Sequence, residues 1–258
     1  MEQVRTQPDS RSAKISSYSE TADRHSSSEE YAQRFAGEIG EWMLSVQELG
    51  VFSLLPQNAR TVLDIGGGHG QLARPLANRR RKVTVLGSSE LCSYRIKDLV
   101  DEGKVRFALG DLIAPPFSAK SFDCVLSVRI MSHCSSWQTL VSQMCRVTRH
   151  AVIFDYPTWC STNIFSPLLF SLKRKMEGNT RTYTTFTLKA LEAEFRKHGF
   201  VRVTVKKQFF FPMGLHRLVG SAKWSRLLER YAAALGLTNM FGSPVLVKFV
   251  RARGSHES

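Results

Sequence analysis

The stretch Val62-Leu63-Asp64-Ile65-Gly66-Gly67-Gly68-His69-Gly70 sets the tightest limit on what this chain can become. Thr61 to Ile65 is a short apolar run with a carboxylate near its end, the pattern of a buried strand. Four glycines follow within five residues, and Gln71 to Asn78 then takes up a helical pattern. Glycine at such a junction lets the backbone turn sharply and lets a ligand come close, because no Cβ stands in the way. The N–H groups that open the helix are then free to meet an electronegative group. A strand, a glycine turn and a helix imply an α/β fold with a nucleotide-type pocket at the strand end.

Two nucleotides fit that turn. A dinucleotide pocket asks for G-x-G-x-x-G. From Gly66 this frame puts Gln71 at its last glycine and fails, whereas Gly68-His69-Gly70-Gln71-Leu72-Ala73 fits the looser G-x-G-x-x-A form. That frame leaves Asp64 and Gly66 without a role. The pattern Asp64-x-Gly66-x-Gly68-x-Gly70 uses every residue, and it resembles the first motif of the class I S-adenosylmethionine-dependent methyltransferases. The resemblance implies that Asp64, Gly66, Gly68 and Gly70 hold the methionine end of S-adenosyl-L-methionine. A carboxylate suits the ammonium of that cofactor, in a charge-assisted hydrogen bond worth about 1.5–3 kcal/mol.

The rest of the chain repeats strand and helix. Lys82 to Leu86 is a second strand, whose end should carry an acidic residue for the ribose hydroxyls. Gly87 stands there instead, followed by Ser88 and Ser89, a departure from both nucleotide families that leaves Gly87 and Ser88 as the ribose-side residues. Val105 to Leu109 is a third strand running into Gly110-Asp111-Leu112. This step resembles the family's Gly-Asp, which implies that Asp111 takes the adenine amino group and the Leu112 N–H meets the ring. Cys124 to Val128 is the fourth strand, with Val128 at the cofactor and Arg129 and His133 just beyond its end. Ala151 to Phe154 is the fifth, ending in Asp155-Tyr156. Ligands of open α/β sheets gather at these carboxyl ends. His133 and Asp155 are therefore the candidate general bases, and Arg129 and Tyr156 the candidate substrate residues. His216 is a more distant candidate base, and no metal-ligand cluster is visible.

Five strands alternating with helices imply a doubly wound, mostly parallel sheet with helices on both faces. Two later strands, Val201 to Phe211 and Pro244 to Val250, complete seven; the resemblance implies that the last inserts antiparallel between the fifth and sixth. Before the first strand, Tyr31, Phe35, Ile39, Trp42, Met43, Val46 and Leu49 space as one amphipathic helix. In many proteins of that family a helix here covers the cofactor, so Tyr31 and Arg34 are candidates to face it. Residues 1–28, rich in Ser and charge, read as a disordered leader. Residues 29–258 then form a single methyltransferase domain, with an apolar–basic, lid-like insertion at about 157–185.

The net charge of +14 is uneven. From Phe170 to Ser258 there are seventeen Lys and Arg against five Asp and Glu. A basic C-terminal third suits a membrane surface or RNA as well as a small-molecule substrate. The five cysteines have no C-x-x-C spacing, which fits a reducing cytoplasm. The expected function is methyl transfer to a small, apolar or lipid-like acceptor at a cytoplasmic, or membrane-peripheral, location. The alternatives are an RNA methyltransferase or a non-catalytic scaffold, the latter motivated by Gly87.

Overall fold

The computed structural model describes residues 18–158 and 184–252. Seven strands form one sheet: β1 (Thr61–Ile65), β2 (Lys82–Gly87), β3 (Val105–Leu109), β4 (Phe122–Ser127), β5 (Thr148–Tyr156), β6 (Phe200–Phe209) and β7 (Ser243–Arg251). Their order is β3-β2-β1-β4-β5-β7-β6. The first five pair parallel, and β7 runs antiparallel to both of its neighbours. This is the doubly wound, mostly parallel sheet that the alternation of elements implied, with the last strand antiparallel between the fifth and sixth as the resemblance implied.

The central strands are apolar on both sides because both sides are covered. In β1, every residue from Val62 to Ile65 is buried. Side chains alternate across a strand, so Leu63, Ile65, Val125 and Phe154 join one apolar layer while Val62, Val83, Cys124 and Leu126 join the other. On the first side Phe154, Phe195 and Phe249 stack, with the Phe195 and Phe249 rings 4.0 Å apart.

The described helices are α1 (Ala22–Ser26), α2 (Glu29–Gln33), α3 (Gly37–Leu54), α4 (Ala73–Asn78), α5 (Lys97–Asp101), α6 (Trp137–Val147), α7 (Leu188–Lys197), α8 (Met213–Val219), α9 (Ala222–Ala234) and α10 (Leu237–Phe241). Thr187 caps α7 by accepting from the Ala190 N–H at 3.2 Å, and Gly199 ends it in the left-handed region.

Three expectations are corrected. The helix expected from Gln71 starts only at Ala73, because Gly66 and Gly70 are both left-handed (φ +73° and +81°) and bracket a short 3-10 turn, Gly67–His69. The single helix expected from Tyr31 to Leu49 is split into α2 and α3, with Gly37 left-handed at the start of α3. Finally, residues 18–28 are not a free leader. They carry α1, and Ala22, Asp23 and Ser26 are buried against the sheet's carboxyl edge. The burial is held by polar contacts, which an apolar-periodicity reading does not register. Residues 1–17 of the expected leader, and 159–183 of the expected insertion, lie outside the described residues.

At the opposite edge Asp123 ties β1 to β4. Its Oδ2 accepts from the Arg60 and Thr61 N–H groups, both at 2.9 Å, and its Oδ1 from Arg149 at 3.1 Å. Partial burial opposes ionisation, but these hydrogen bonds outweigh it and hold the carboxyl down at about 2. A depressed carboxylate stabilises the fold above its unfolded value and loses that contribution as pH falls towards 2. Asp123→Asn should therefore lower stability at pH 7 by about 2 kcal/mol, with the difference vanishing towards pH 2 in denaturant melts.

Candidate active site

The carboxyl ends of β1 to β5 bring the candidate residues together, in two groups. Gly66, Gly68, Ser88 and Asp111 lie against the segment that contains α1, and Asp64 lies beside Gly67 of the same turn. Arg129, His133, Asp155 and Tyr156 line an adjacent cavity of about 310 Å3.

The glycine turn is built for close approach. A Cβ on Gly67 would lie 2.0 Å from Asp64 Oδ2, and one on Gly68 would lie 2.4 Å from Ser27 Oγ and from the Cys92 carbonyl. No other residue fits there. Gly70 packs beside Ile96 in the left-handed region, where a side chain is strained. Asp64 is almost wholly buried, 2% exposed. Burial pushes its carboxyl up to about 7, against the pull of the nearby Arg129 guanidinium. His69 is also buried, with neither ring nitrogen hydrogen-bonded. Burial, Arg129 and Arg95 drive it down to about 3, so it is a neutral ring at any physiological pH. It packs edge-on against Tyr31 and Phe35.

Gly87 is a packing requirement. A Cβ there would lie 2.8 Å from Cys92 Cβ and 2.8 Å from the Phe107 ring. The neighbouring Ser88 is fully buried, and its N–H and hydroxyl both donate to Asp23, at 2.7 and 2.5 Å. Asp111 accepts from Ile113 N–H at 3.0 Å and from Ser19 N–H at 2.9 Å. Leu112 and Val128 are buried in the two apolar layers, one in each.

Arg129 is the centre of the second group. Its backbone is left-handed (φ 63°), unusual for a residue with a side chain. The Asp155 carboxylate holds it there: Oδ1 accepts from the Arg129 N–H at 2.6 Å, and Oδ2 from Gln47 Nε2 of α3 at 2.8 Å. Burial raises Asp155 to about 6, with Arg129 and Gln47 opposing. The Arg129 guanidinium donates to Gln71 Oε1 at 2.6 Å and faces Phe35 at 5.1 Å, while its Nη1 is buried without a hydrogen bond. Tyr156 is buried, its ring edge-on to Phe186, and burial raises its hydroxyl to about 12.

The cavity walls are mostly apolar: Phe35, Met43 and Leu44 from the α2–α3 region, Phe209 to Phe211 from the end of β6. Gln208 also lines it, with both amide atoms buried and unbonded. Sequence reading missed Gln208, as a lone glutamine in a basic strand carries no pattern. His216 does not reach the cavity. It is fully buried between Trp42 and Phe211, bonded to Glu229 at 3.0 Å. Glu229 also accepts from the Phe210 and Phe211 N–H groups at 2.9 Å, so this pair braces the aromatic wall. Among the described residues no cluster of His, Cys, Asp and Glu could hold a metal ion.

Residues 62–151 match the model of a methyltransferase domain family. These residues, about a third of the chain, resemble the methyltransferase domain of the class I S-adenosylmethionine-dependent methyltransferases. The chain is 29% identical over 46% of its length to a probable chloroplastic tocopherol O-methyltransferase from Oryza sativa subsp. japonica, covering 35% of it. It is 32% identical over 40% of its length to a sterol 24-C-methyltransferase from Gibberella zeae, covering 29% of that protein. The matches thus span about a third of each relative. Among solved structures, its fold resembles magnesium protoporphyrin IX methyltransferase from Synechocystis, with a TM-score of 0.60 at 14% identity over 88% of this chain and 97% of that one. A possible histamine N-methyltransferase from Thermotoga maritima gives 0.59 at 18% identity, over 86% and 95%.

The raised Asp64 carboxyl carries a stability consequence. Folding lifts it from 3.8 to about 7, so its ionised form weakens the fold and this penalty grows as pH rises from about 4 to 7. Asp64→Asn should melt about 5 °C above the wild type at pH 8, with the gap closing by pH 4, in calorimetric scans.

Proposed function

We propose that this methyltransferase moves a methyl group from S-adenosyl-L-methionine to a small apolar or lipid-like acceptor. The observation that carries this reading is the cavity beside the glycine turn, whose walls are largely aromatic and aliphatic with a few convergent polar groups. The tocopherol and sterol methyltransferases that the chain is similar to point the same way.

The residues at the turn suit the cofactor's methionine end. Asp64 is a buried carboxylate whose charge lacks full compensation, and an ammonium would supply it. The glycines leave the backbone open to close approach, and Asp111 and the Leu112 N–H suit an adenine edge. When bound, the cofactor supplies an electrophilic methyl for in-line displacement. The chain's part is to position the acceptor and exclude water. Phe209 to Phe211 enclose the acceptor's apolar body, while Arg129 Nη1 and Gln208, each lacking a partner, meet its polar atoms. His133, on the cavity wall, is the group assigned to take the acceptor's proton. Asp155 is assigned to positioning, because both its oxygens already hold Arg129 and Gln47.

Calorimetry with S-adenosylmethionine tests the reading. An ammonium pairs only with ionised Asp64, so affinity should fall as pH drops below about 7. Asp64→Ala should weaken binding at pH 8 by about tenfold or more. Folded wild-type protein that binds no cofactor at pH 8 would sink the proposal. Radiolabelled methyl recovered in the organic phase of a lipid extract identifies the acceptor class.

A second reading concerns where the acceptor is met. On α9 the exposed Trp224 and Tyr231, and Leu235 just beyond it, fall on one helical face, flanked by exposed Lys223 and Arg230. An aromatic stripe with basic flanks suits an anionic membrane surface. No described helix is long and apolar enough to cross a membrane. Co-sedimentation with phosphatidylserine vesicles should fall several-fold in Trp224→Ala/Tyr231→Ala. Steeply salt-dependent RNA binding with no vesicle binding would favour the RNA reading instead.

A further inference from the structure

The segment 19–27 crosses the carboxyl edge of the sheet and takes, one after another, the groups that the cofactor's adenosine half would need. Ser19 N–H donates to Asp111 Oδ2 at 2.9 Å, on the carboxylate assigned to the adenine amino group. Glu20 Oε2 accepts from Ser135 N–H and Oγ at 3.1 and 3.3 Å, anchoring the segment beyond β4. Asp23 takes both donors of Ser88, at 2.7 and 2.5 Å, beside the ribose position that Gly87 leaves empty of a side chain. Asp23 Cβ lies 3.3 Å from where a Gly66 Cβ would stand, and Ser27 Oγ 2.4 Å from that of Gly68. Asp23 and Ser88 are fully buried, and Glu20, Ala22, Ser26 and Ser27 are buried with them.

We propose, resting on the cofactor reading above, that residues 19–27 are an internal ligand of the adenosine half of the cleft. Asp23 sets how much cofactor the chain binds, because the segment must lift off before the adenosine can enter. Three features favour displacement over shared occupancy. Ser88 and Asp23 leave no surface for a second ligand while they are paired. Asp111 Oδ2 is already engaged from the side of the segment. In the five-residue α1 the Thr21 side chain makes no cap bond, the Ala22 N–H being taken instead by Glu20 Oε1 at 2.9 Å, and the helix is far too short to hold itself, so it persists only through contacts of this kind. Segments held in this way belong to the low-stability end of a fold and open without global unfolding. The apparent affinity for cofactor is then reduced by the fraction of molecules in which the segment is down.

The test uses the full chain and S-adenosylhomocysteine as the probe. Titrations compare the wild type with Asp23→Ala and with Glu20→Ala, as Glu20 holds the segment through Ser135 and the Ala22 N–H rather than through Asp111 or Ser88. Both variants should bind the probe about tenfold more tightly, as each loses a charge-assisted contact that holds the segment down. Hydrogen exchange on the wild type should show residues 20–28 losing protection on addition of the probe while residues 64–70 gain it. Weaker binding in Asp23→Ala, or added protection of residues 20–28, would mean that the segment closes over the cofactor, and would overturn the proposal while leaving the cofactor reading intact. Unchanged affinity in both variants would do the same. Binding by none of the three proteins, each folded by circular dichroism, would overturn the cofactor reading and this proposal together.

Discussion

The crowding of backbone at the carboxyl end of β1 governs the rest of the site. Gly66, Gly67 and Gly68 each have a neighbour so near that a Cβ would overlap it. This density shuts out water and leaves Asp64 with little hydration. Its carboxyl rises to about 7 as a result, and the Arg129 guanidinium is the main force working against that rise. Arg129 in turn stands in a left-handed backbone, which costs of order 1–3 kcal/mol unless the surroundings enforce it. Asp155 and Gln71 do so, one gripping its N–H and the other its guanidinium. Through Gln47 and the Leu44 carbonyl the same network reaches α3. A turn, two strand ends and a helix are thus held in register by one buried cation and its carboxylates.

The cavity beside this network departs from the ordinary pairing of buried polar groups. Buried polar atoms are ordinarily hydrogen-bonded, yet on two residues that line it Arg129 Nη1 and both amide atoms of Gln208 are buried without partners. The aromatic wall opposite is not left to packing alone. Glu229 grips the N–H groups of Phe210 and Phe211 and the ring of His216, so the end of β6 keeps its shape with no ligand in place. Rigid apolar walls with a few unpaired polar groups discriminate by shape first and by hydrogen bonding second.

The β2 end is crowded as well. Cys92 and Phe107 occupy the space in which a side chain at position 87 would stand. An acidic residue there is sterically excluded, whatever its value to a ribose. The carboxylate found at this edge is Asp23, carried in from α1 and already paired with Ser88.

Much of the fold was legible in the sequence, because periodicity and glycine punctuation are local properties. The alternation of apolar strands with helices specified a doubly wound sheet, and Asp64 with its glycines marked the strand end where ligands gather. Arg129, His133, Asp155 and Tyr156 were legible as a group because strand ends converge in any such sheet. Tertiary structure alone decided what these residues do. Asp155 reads as a candidate base, and only the fold brings its carboxylate onto Arg129 and Gln47, which lie 26 and 108 residues away. Gln208 and Glu229 carry no motif and matter only through the cavity wall that they line or brace. Residues 18–28 read as leader because they lack apolar periodicity, whereas their burial rests on hydrogen bonds to Asp111, Ser135 and Ser88. Hydrophobic pattern is written along the chain, but polar complementarity between distant segments exists only once the chain has folded.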